Sequence, residues 1–161
     1  MSRSFYEALY RRTLQSPLLG QTVKACDRLL TGLGYIAYPL LLICLYLRKD
    51  GRLLKFVLVP GLLFVLLSVF RKVLNAPRPG EVFGLETLLC HSSGRSFPSR
   101  HVYSAAMIAF CWMQLLPWAG TVLLVCAVLL AVCRVAGGLH FIRDTLAGFV
   151  LAAAGALLLQ F

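Results

Sequence analysis

The sequence predicts an all-α integral membrane protein, a helical bundle with about five transmembrane helices behind an N-terminal amphipathic interfacial helix. Two observations carry that prediction. Hydrophobic residues make up 60% of the chain and mean hydropathy is +0.82, against an apolar share nearer ~45–50% in soluble domains. The charges are also placed so that long apolar runs remain, and a bilayer crossing needs about 20 such residues, or about 17 where the bilayer thins.

The first 27 residues interleave Phe5, Tyr6, Leu9, Leu14, Leu18 and Leu19 with Arg3, Arg11, Arg12 and Lys24. That mixture is too charged to span and reads as one or two helices lying at the interface. Residues 1–28 are therefore expected to form an interfacial segment and residues 29–161 the transmembrane domain. Residues 29–47 carry no charge and give the first span; residues 56–70 give the second, which gains Leu53 and Leu54 if Lys55 snorkels. No charged side chain lies between Val102 and Cys133, but "LPWAG" at 116–120 supplies the Pro and Gly of a turn and an interfacial Trp. A helical hairpin is expected there, spans three and four. Residues 145–161 form a short fifth span whose Ala and Gly let helix backbones approach closely.

The formal net charge of +10 raises the question of nucleic acid. The basic residues fall at span ends and not in a run with interleaved aromatics, which suits anionic headgroups and speaks against nucleic acid. Of six cysteines, Cys44, Cys111, Cys126 and Cys133 lie inside spans, and no two form a Cys-x-x-Cys pair. They read as small buried hydrophobes, neither disulfide nor metal ligands. The segment before Leu29 lacks the order of basic start, apolar stretch and small-residue cleavage site, so no cleaved signal peptide is expected. No polar linker divides the chain, which makes one domain.

The one long connection, residues 71–101, is where function is expected. Counting spans places both its ends on the same side of the membrane as the connection between spans four and five. There Arg71, Lys72, Arg78, Arg95, Arg100 and His101 meet Arg134, His140, Arg143 and Asp144. Ionisable groups at membrane depth are expensive and mark sites by default. His140 and Asp144, four apart, would share one face of a helix beginning near Gly138, the carboxylate fixing the tautomer and favouring the cationic imidazole. In "NAPRPG", Pro77 and Pro79 lock Arg78 in an extended turn; in "FPSRH", Ser99 is expected to cap the helix that follows. Free N–H groups at that helix start attract an anion. Two histidines, a carboxylate, several guanidinium groups and a helix N-terminus together suit a phosphate passing between a nucleophile and a general acid. His91 and Arg95 read as loop residues, and Arg143 as an interfacial anchor.

Three fragments, "RKVLNAPRP", "PSRH" and "CRVAGGLHFIRD", in this order resemble the type 2 phosphatidic acid phosphatase family. These are membrane lipid phosphatases that share a helical core with vanadium haloperoxidases. The family pattern is a basic residue, six positions and Arg-Pro; then Pro-Ser-Gly-His; then Ser-Arg, five positions, His, three positions, Asp. The chain departs from it at Arg71, where Lys is usual and Lys72 stands adjacent, at Arg100 in place of Gly, and at Cys133 in place of Ser.

The resemblance implies hydrolysis of a lipid phosphomonoester or diphosphate through a phosphohistidine. It assigns His140 as nucleophile, Asp144 as its orienter and His101 as the acid that protonates the leaving oxygen and then activates water. Arg71, Arg78, Arg134 and Ser99 would hold the phosphate, with Lys72 and Arg100 as further contacts, and neither metal nor cofactor would be needed. The expected partners are a lipid phosphate and the bilayer, with a homodimer left open. Two other readings are a non-catalytic phospholipid or polyprenyl-phosphate binder or transporter, and vanadate-dependent haloperoxidase chemistry. The histidine pair argues against the first, the apolar spans against the second. The protein is expected in a cell membrane as a multi-pass protein of bacterial type. The basic "RKDGRLLK" loop opposite the site reads as cytoplasmic, leaving the site extracytoplasmic.

Overall fold

The computed structural model describes residues 3–84, 87, 88 and 94–160, and among these all regular structure is helical. His91 and Cys90 lie outside the described residues. The helices are α1 (Arg3–Gln15), α2 (Pro17–Leu47), α3 (Leu53–Leu74), α4 (Pro79–Phe83), α5 (Arg100–Leu115), α6 (Pro117–Ala136) and α7 (Ile142–Leu158). The hairpin expected at "LPWAG" is present, with Leu116 between α5 and α6 and Pro117 opening α6.

Among the described residues three segments, Pro17–Leu47, Leu53–Phe83 and Pro117–Ala136, are long and apolar enough to cross a membrane. With 16 and 17 residues, α5 and α7 rise only about 24–26 Å. For α5 the short length has a visible context. Val102, Tyr103, Ala106, Met107, Ala109, Cys111 and Trp112 are all buried, because α2, α3, α6 and α7 pack around it. Among the described residues α5 offers no exposed large apolar side chain, whereas α2, α3, α6 and α7 carry many. It is the inner helix, and those four carry the apolar outer surface.

Small residues let α7 come against it, as the sequence suggested. A Cβ added at Gly148 would stand 2.9 Å from the Ser99 carbonyl and 3.2 Å from the Tyr103 nitrogen. The starts of α5 and α7 are thus held at backbone contact, reinforced by the Ser99 N–H donating to the Asp144 carbonyl at 2.9 Å.

The N-terminal region differs from expectation. The break falls at Ser16, whose hydroxyl accepts from Leu19 N and caps α2, and α2 then runs without interruption through residue 28. Helix α1 turns its apolar face onto protein: Tyr6, Tyr10 and Thr13 are buried, spaced as one helical face. The Tyr6 ring packs 5.3 Å from Phe141 and 6.1 Å from Phe83, and its hydroxyl accepts from Ile142 N at 3.1 Å. Ile142 opens α7, where backbone N–H groups lack helical partners, so α1 is fastened to the beginning of α7.

Proline inside a membrane helix leaves a carbonyl without its donor, and in lipid that cost must be met by a neighbour. Pro60 in α3 deprives the Phe56 carbonyl in this way, and the Tyr38 hydroxyl of α2 donates to it at 2.9 Å. Tyr38→Phe is expected to lower thermal stability in detergent by about 1–3 kcal/mol. The loss should shrink in a Pro60→Ala background, where residue 60 regains its N–H; equal losses in both backgrounds would contradict the repair.

Candidate active site

The site begins with how α6 stops. Gly137 caps the helix and Gly138 follows at φ +75°, a conformation that favours glycine. Gly138 N donates to the Val135 carbonyl and Leu139 N to the Arg134 carbonyl, 3.0 and 3.1 Å, the paired bonds of a Schellman motif. The reversal brings the next residue back against the helix end, and His140 N also donates to the Arg134 carbonyl, at 3.3 Å. The spacing from Arg134 to His140 is thus one helix end and its turn.

His140 does not lie on a helix. It stands in the extended link before α7, which starts at Ile142 rather than near Gly138, because the left-handed Gly138 interrupts helical geometry. Asp144 is in the first turn of α7, and its Oδ2 accepts from Phe141 N at 3.0 Å. The same oxygen lies 3.6 Å from His140 Nδ1. Between them stands Ser96, which the sequence reading passed over: its hydroxyl donates to Asp144 Oδ2 at 2.5 Å and lies 3.4 Å from His140 Nδ1. All three side chains are buried. With Nδ1 facing Ser96 and Asp144, Nε2 is the imidazole nitrogen left to meet a substrate.

Three guanidinium groups are buried around this cluster. Arg71 donates from Nη1 to the Pro98 carbonyl and from Nη2 to the Arg95 carbonyl. Arg78 donates from Nε to the Gly94 carbonyl and from Nη1 to the Leu139 carbonyl, both at 3.1 Å. Glu81 accepts from Arg78 N at 3.0 Å and from Gly94 N at 2.6 Å, so both polar groups of Gly94 are clamped. Arg134 pairs through Nε with Asp27 Oδ1 at 2.6 Å, and its Nη2 donates to Thr31 Oγ1 at 3.3 Å. Asp27 and Thr31 were also missed, although Asp27 is the sole acidic residue between Glu7 and Asp50.

The other expected residues divide. Ser99 sits at the N-cap position of α5 but makes no capping bond; its N–H is tied to Asp144, and its hydroxyl is buried without a partner among the described residues. His101 and Arg100 line a cleft of about 390 Å³ between α2, α3 and α5, together with Thr31, Tyr35, Tyr38 and Phe64. Arg100 is exposed and lies over the Phe64 ring at 5.9 Å. Lys72 is exposed, one residue around α3 from buried Arg71, and is not brought into the cluster. Arg143, read as an anchor, is 69% exposed yet reaches to 3.6 Å from Asp144 Oδ1.

Charge balance overturns one expectation. Asp144 does raise the proton affinity of His140, but burial dominates, and the fields of Arg78 and Arg71 add to it. The imidazole is pushed down to about 4. His140 is therefore neutral at physiological pH, the form in which its nitrogen lone pair is available.

Fold and site together define an integral membrane protein with a buried histidine–carboxylate–arginine cluster beside an apolar cleft. Residues 52–160 match the family model of the PAP2 superfamily, and the chain belongs to that superfamily. Over 75 residues it is 37% identical to YbjG of Escherichia coli (strain K12), a protein named provisionally as an undecaprenyl-diphosphatase. That match spans 45% of this chain and 37% of YbjG, so little over a third of the relative is covered. Two solved structures are similar over 98% of the chain. One is the transmembrane PAP2-type phosphatidylglycerolphosphate phosphatase of Bacillus subtilis, at TM-score 0.72 and 27% identity over 84% of that protein. The other is Aquifex aeolicus LpxE, at TM-score 0.75 and 25% identity over 93% of its chain.

The depressed His140 affinity has a consequence for stability. The unfolded chain takes up this proton near pH 6.5 and the folded chain only near 4. The contribution is fully present above about 6.5 and is lost as pH falls through about 4, roughly 3 kcal/mol in all. Between about pH 7 and 4.5, the thermal midpoint of the wild type is expected to fall further than that of His140→Gln. Equal falls would show that His140 is not held neutral.

Proposed function

We propose that the protein hydrolyses a lipid phosphate or diphosphate through a phosphohistidine, without a metal ion. The observation that carries this reading is the buried His140–Ser96–Asp144 cluster: it holds Nδ1 of a neutral imidazole, leaves Nε2 as nucleophile, and is flanked by Arg71 and Arg78. A site built only to bind phosphate needs cations but no oriented, neutral histidine.

In the first step His140 Nε2 attacks phosphorus and the bond to the leaving lipid oxygen breaks. His101, on the cleft wall, gives that oxygen its proton. As the N–P bond forms, Nδ1–H acquires positive character, which Ser96 and Asp144 stabilise. In the second step water attacks the phosphohistidine, His101 takes the water proton, and the N–P bond breaks to release inorganic phosphate. Positive charge for the phosphoryl oxygens comes from Arg71, Arg78 and Arg134, together with the Ser99 hydroxyl and the N–H groups that open α5. In other phosphoryl transfers a magnesium ion supplies much of that charge.

The cleft supports a lipid substrate. Its polar end carries Arg100 and His101, and its remaining wall is largely apolar and aromatic, matching a phosphate at the membrane surface with its tail in the bilayer. Polyprenyl diphosphate, phosphatidylglycerophosphate and phosphatidic acid all present that form, and the relatives' names support the first two. We place the site on the extracytoplasmic face, opposite the basic connection at residues 48–55.

Purified protein in detergent with EDTA is expected to release phosphate from at least one of these three lipids. His140→Ala should abolish release while remaining folded, and Ser96→Ala should reduce kcat by ~10-fold or more. Loss of activity in EDTA restored by a divalent ion would contradict the metal-independent step. Silence of the wild type across the panel would favour a binding or transport role.

A further inference from the structure

Helix α2 contributes to the site from outside the region that defines the family. The family match begins at residue 52, yet Asp27 and Thr31 of α2 engage Arg134 directly. Four residues apart, they stand on one face of the helix. Asp27 Oδ1 lies 2.6 Å from Arg134 Nε, and Thr31 Oγ1 accepts from Nη2 at 3.3 Å. The guanidinium is 2% exposed, and its remaining nitrogen, Nη1, is buried with no partner among the described residues.

A buried cationic donor without an acceptor is costly, and an ion pair built for stability alone would be expected to satisfy it. Here two of the three guanidinium nitrogens are fixed and the third is left over. Thr31 also lines the cleft that holds His101 and Arg100, so one of the two fixing groups is itself part of the wall along which a lipid would lie.

We propose that Asp27 and Thr31 are positioning residues that aim Arg134 Nη1 at the substrate phosphate. This rests on the phosphatase reading and extends it to α2. Asp27 fixes the guanidinium plane, and Thr31 sets its rotation within that plane. The phosphate then meets a donor already oriented, and little side-chain entropy remains to be lost on binding. The non-bridging phosphoryl oxygens already carry negative charge in the bound substrate, and a donor that holds them there holds substrate and transition state alike, so its misalignment appears in KM more than in kcat.

Asp27→Asn preserves size and removes the charge. With dioctanoyl phosphatidic acid as probe, its KM is expected to rise ~10-fold with kcat changed less than about twofold, and the inhibition constant for inorganic phosphate should rise in parallel. Asp27→Glu should recover part of the loss. Exchanging the pair, Asp27→Arg with Arg134→Asp, keeps opposite charges in contact but presents no guanidinium from α6; it should fold and be inactive. Wild-type KM and phosphate inhibition in Asp27→Asn, with only the thermal midpoint lowered, would overturn the proposal, as would an active exchange variant. Should Asp27→Asn fail to fold, Thr31→Val gives the same reading through a KM increase of roughly threefold, and an unchanged KM overturns it. If the wild type does not turn over this lipid, inorganic phosphate is the probe: it should raise the thermal midpoint of the wild type more than that of Asp27→Asn. No difference between them overturns the positioning role whatever becomes of the phosphatase reading.

Discussion

Burying three guanidinium groups at the edge of a membrane is the constraint on which the rest of the structure depends. Arg71, Arg78 and Arg134 are nearly inaccessible, and the buried carboxylates beside them are Asp27 and Asp144. Among buried groups three cations stand against two anions, with exposed Glu81 also set against Arg78, and each cation has been stripped of water at substantial cost. Backbone carbonyls meet much of that cost. Those of Gly94, Arg95, Pro98 and Leu139 accept from Arg71 and Arg78, which holds the two connections that carry Ser96, Ser99 and His140. The positive field that these cations leave suits an anionic ligand. The same field, joined to burial, keeps His140 neutral.

The membrane scaffold serves this arrangement by fixing where helices begin. Gly148 sets the start of α7 against the start of α5, so Asp144 and Ser99 meet through their backbones. Tyr6 of α1 closes the other side by accepting from Ile142 N. Deeper in the bundle, Tyr38 meets the carbonyl freed by Pro60, and Trp112 Nε1 donates to the Ala37 carbonyl at 2.9 Å. Polar groups of one helix thus complete the backbone of another, the solution that a water-free environment requires. The cleft beside His101 lies among these same helices, α2, α3 and α5.

Much of this was legible in the sequence, and the reasons are specific. Arg71, Arg78, Arg134, His140 and Asp144 stood out because charges are conspicuous against apolar runs and because the fragments that carry them resemble a family pattern; that a helix end and its turn set the spacing between Arg134 and His140 emerged only with the fold. The hairpin at Leu116 was legible from its Pro and Gly. Ser96 was not, since a serine in a polar loop carries no signal until the fold sets it against Asp144. Asp27 was hidden by its basic neighbours Lys24 and Arg28, which made an interfacial segment the natural reading. The docking of α1 onto Phe83 and Phe141 was equally hidden, because an amphipathic helix has the same pattern whether its apolar face meets lipid or protein. Lys72 and Arg71 are adjacent in sequence, and only packing separates the buried one from the exposed one. The cationic His140 was misjudged by weighing its carboxylate without the depth of burial.

The central claim is that His140 carries the phosphoryl group during turnover. Its most direct test is to quench the reaction of the His101→Ala variant with p-nitrophenyl phosphate, whose leaving group departs without an acid, at alkaline pH, where a phosphohistidine survives, and to locate the phosphoryl group by mass spectrometry of the peptides. With the residue that activates water removed, a phosphoryl group on His140 is the result this account predicts. Quantitative turnover with His140 unmodified, or a phosphoryl group on another side chain, would contradict it.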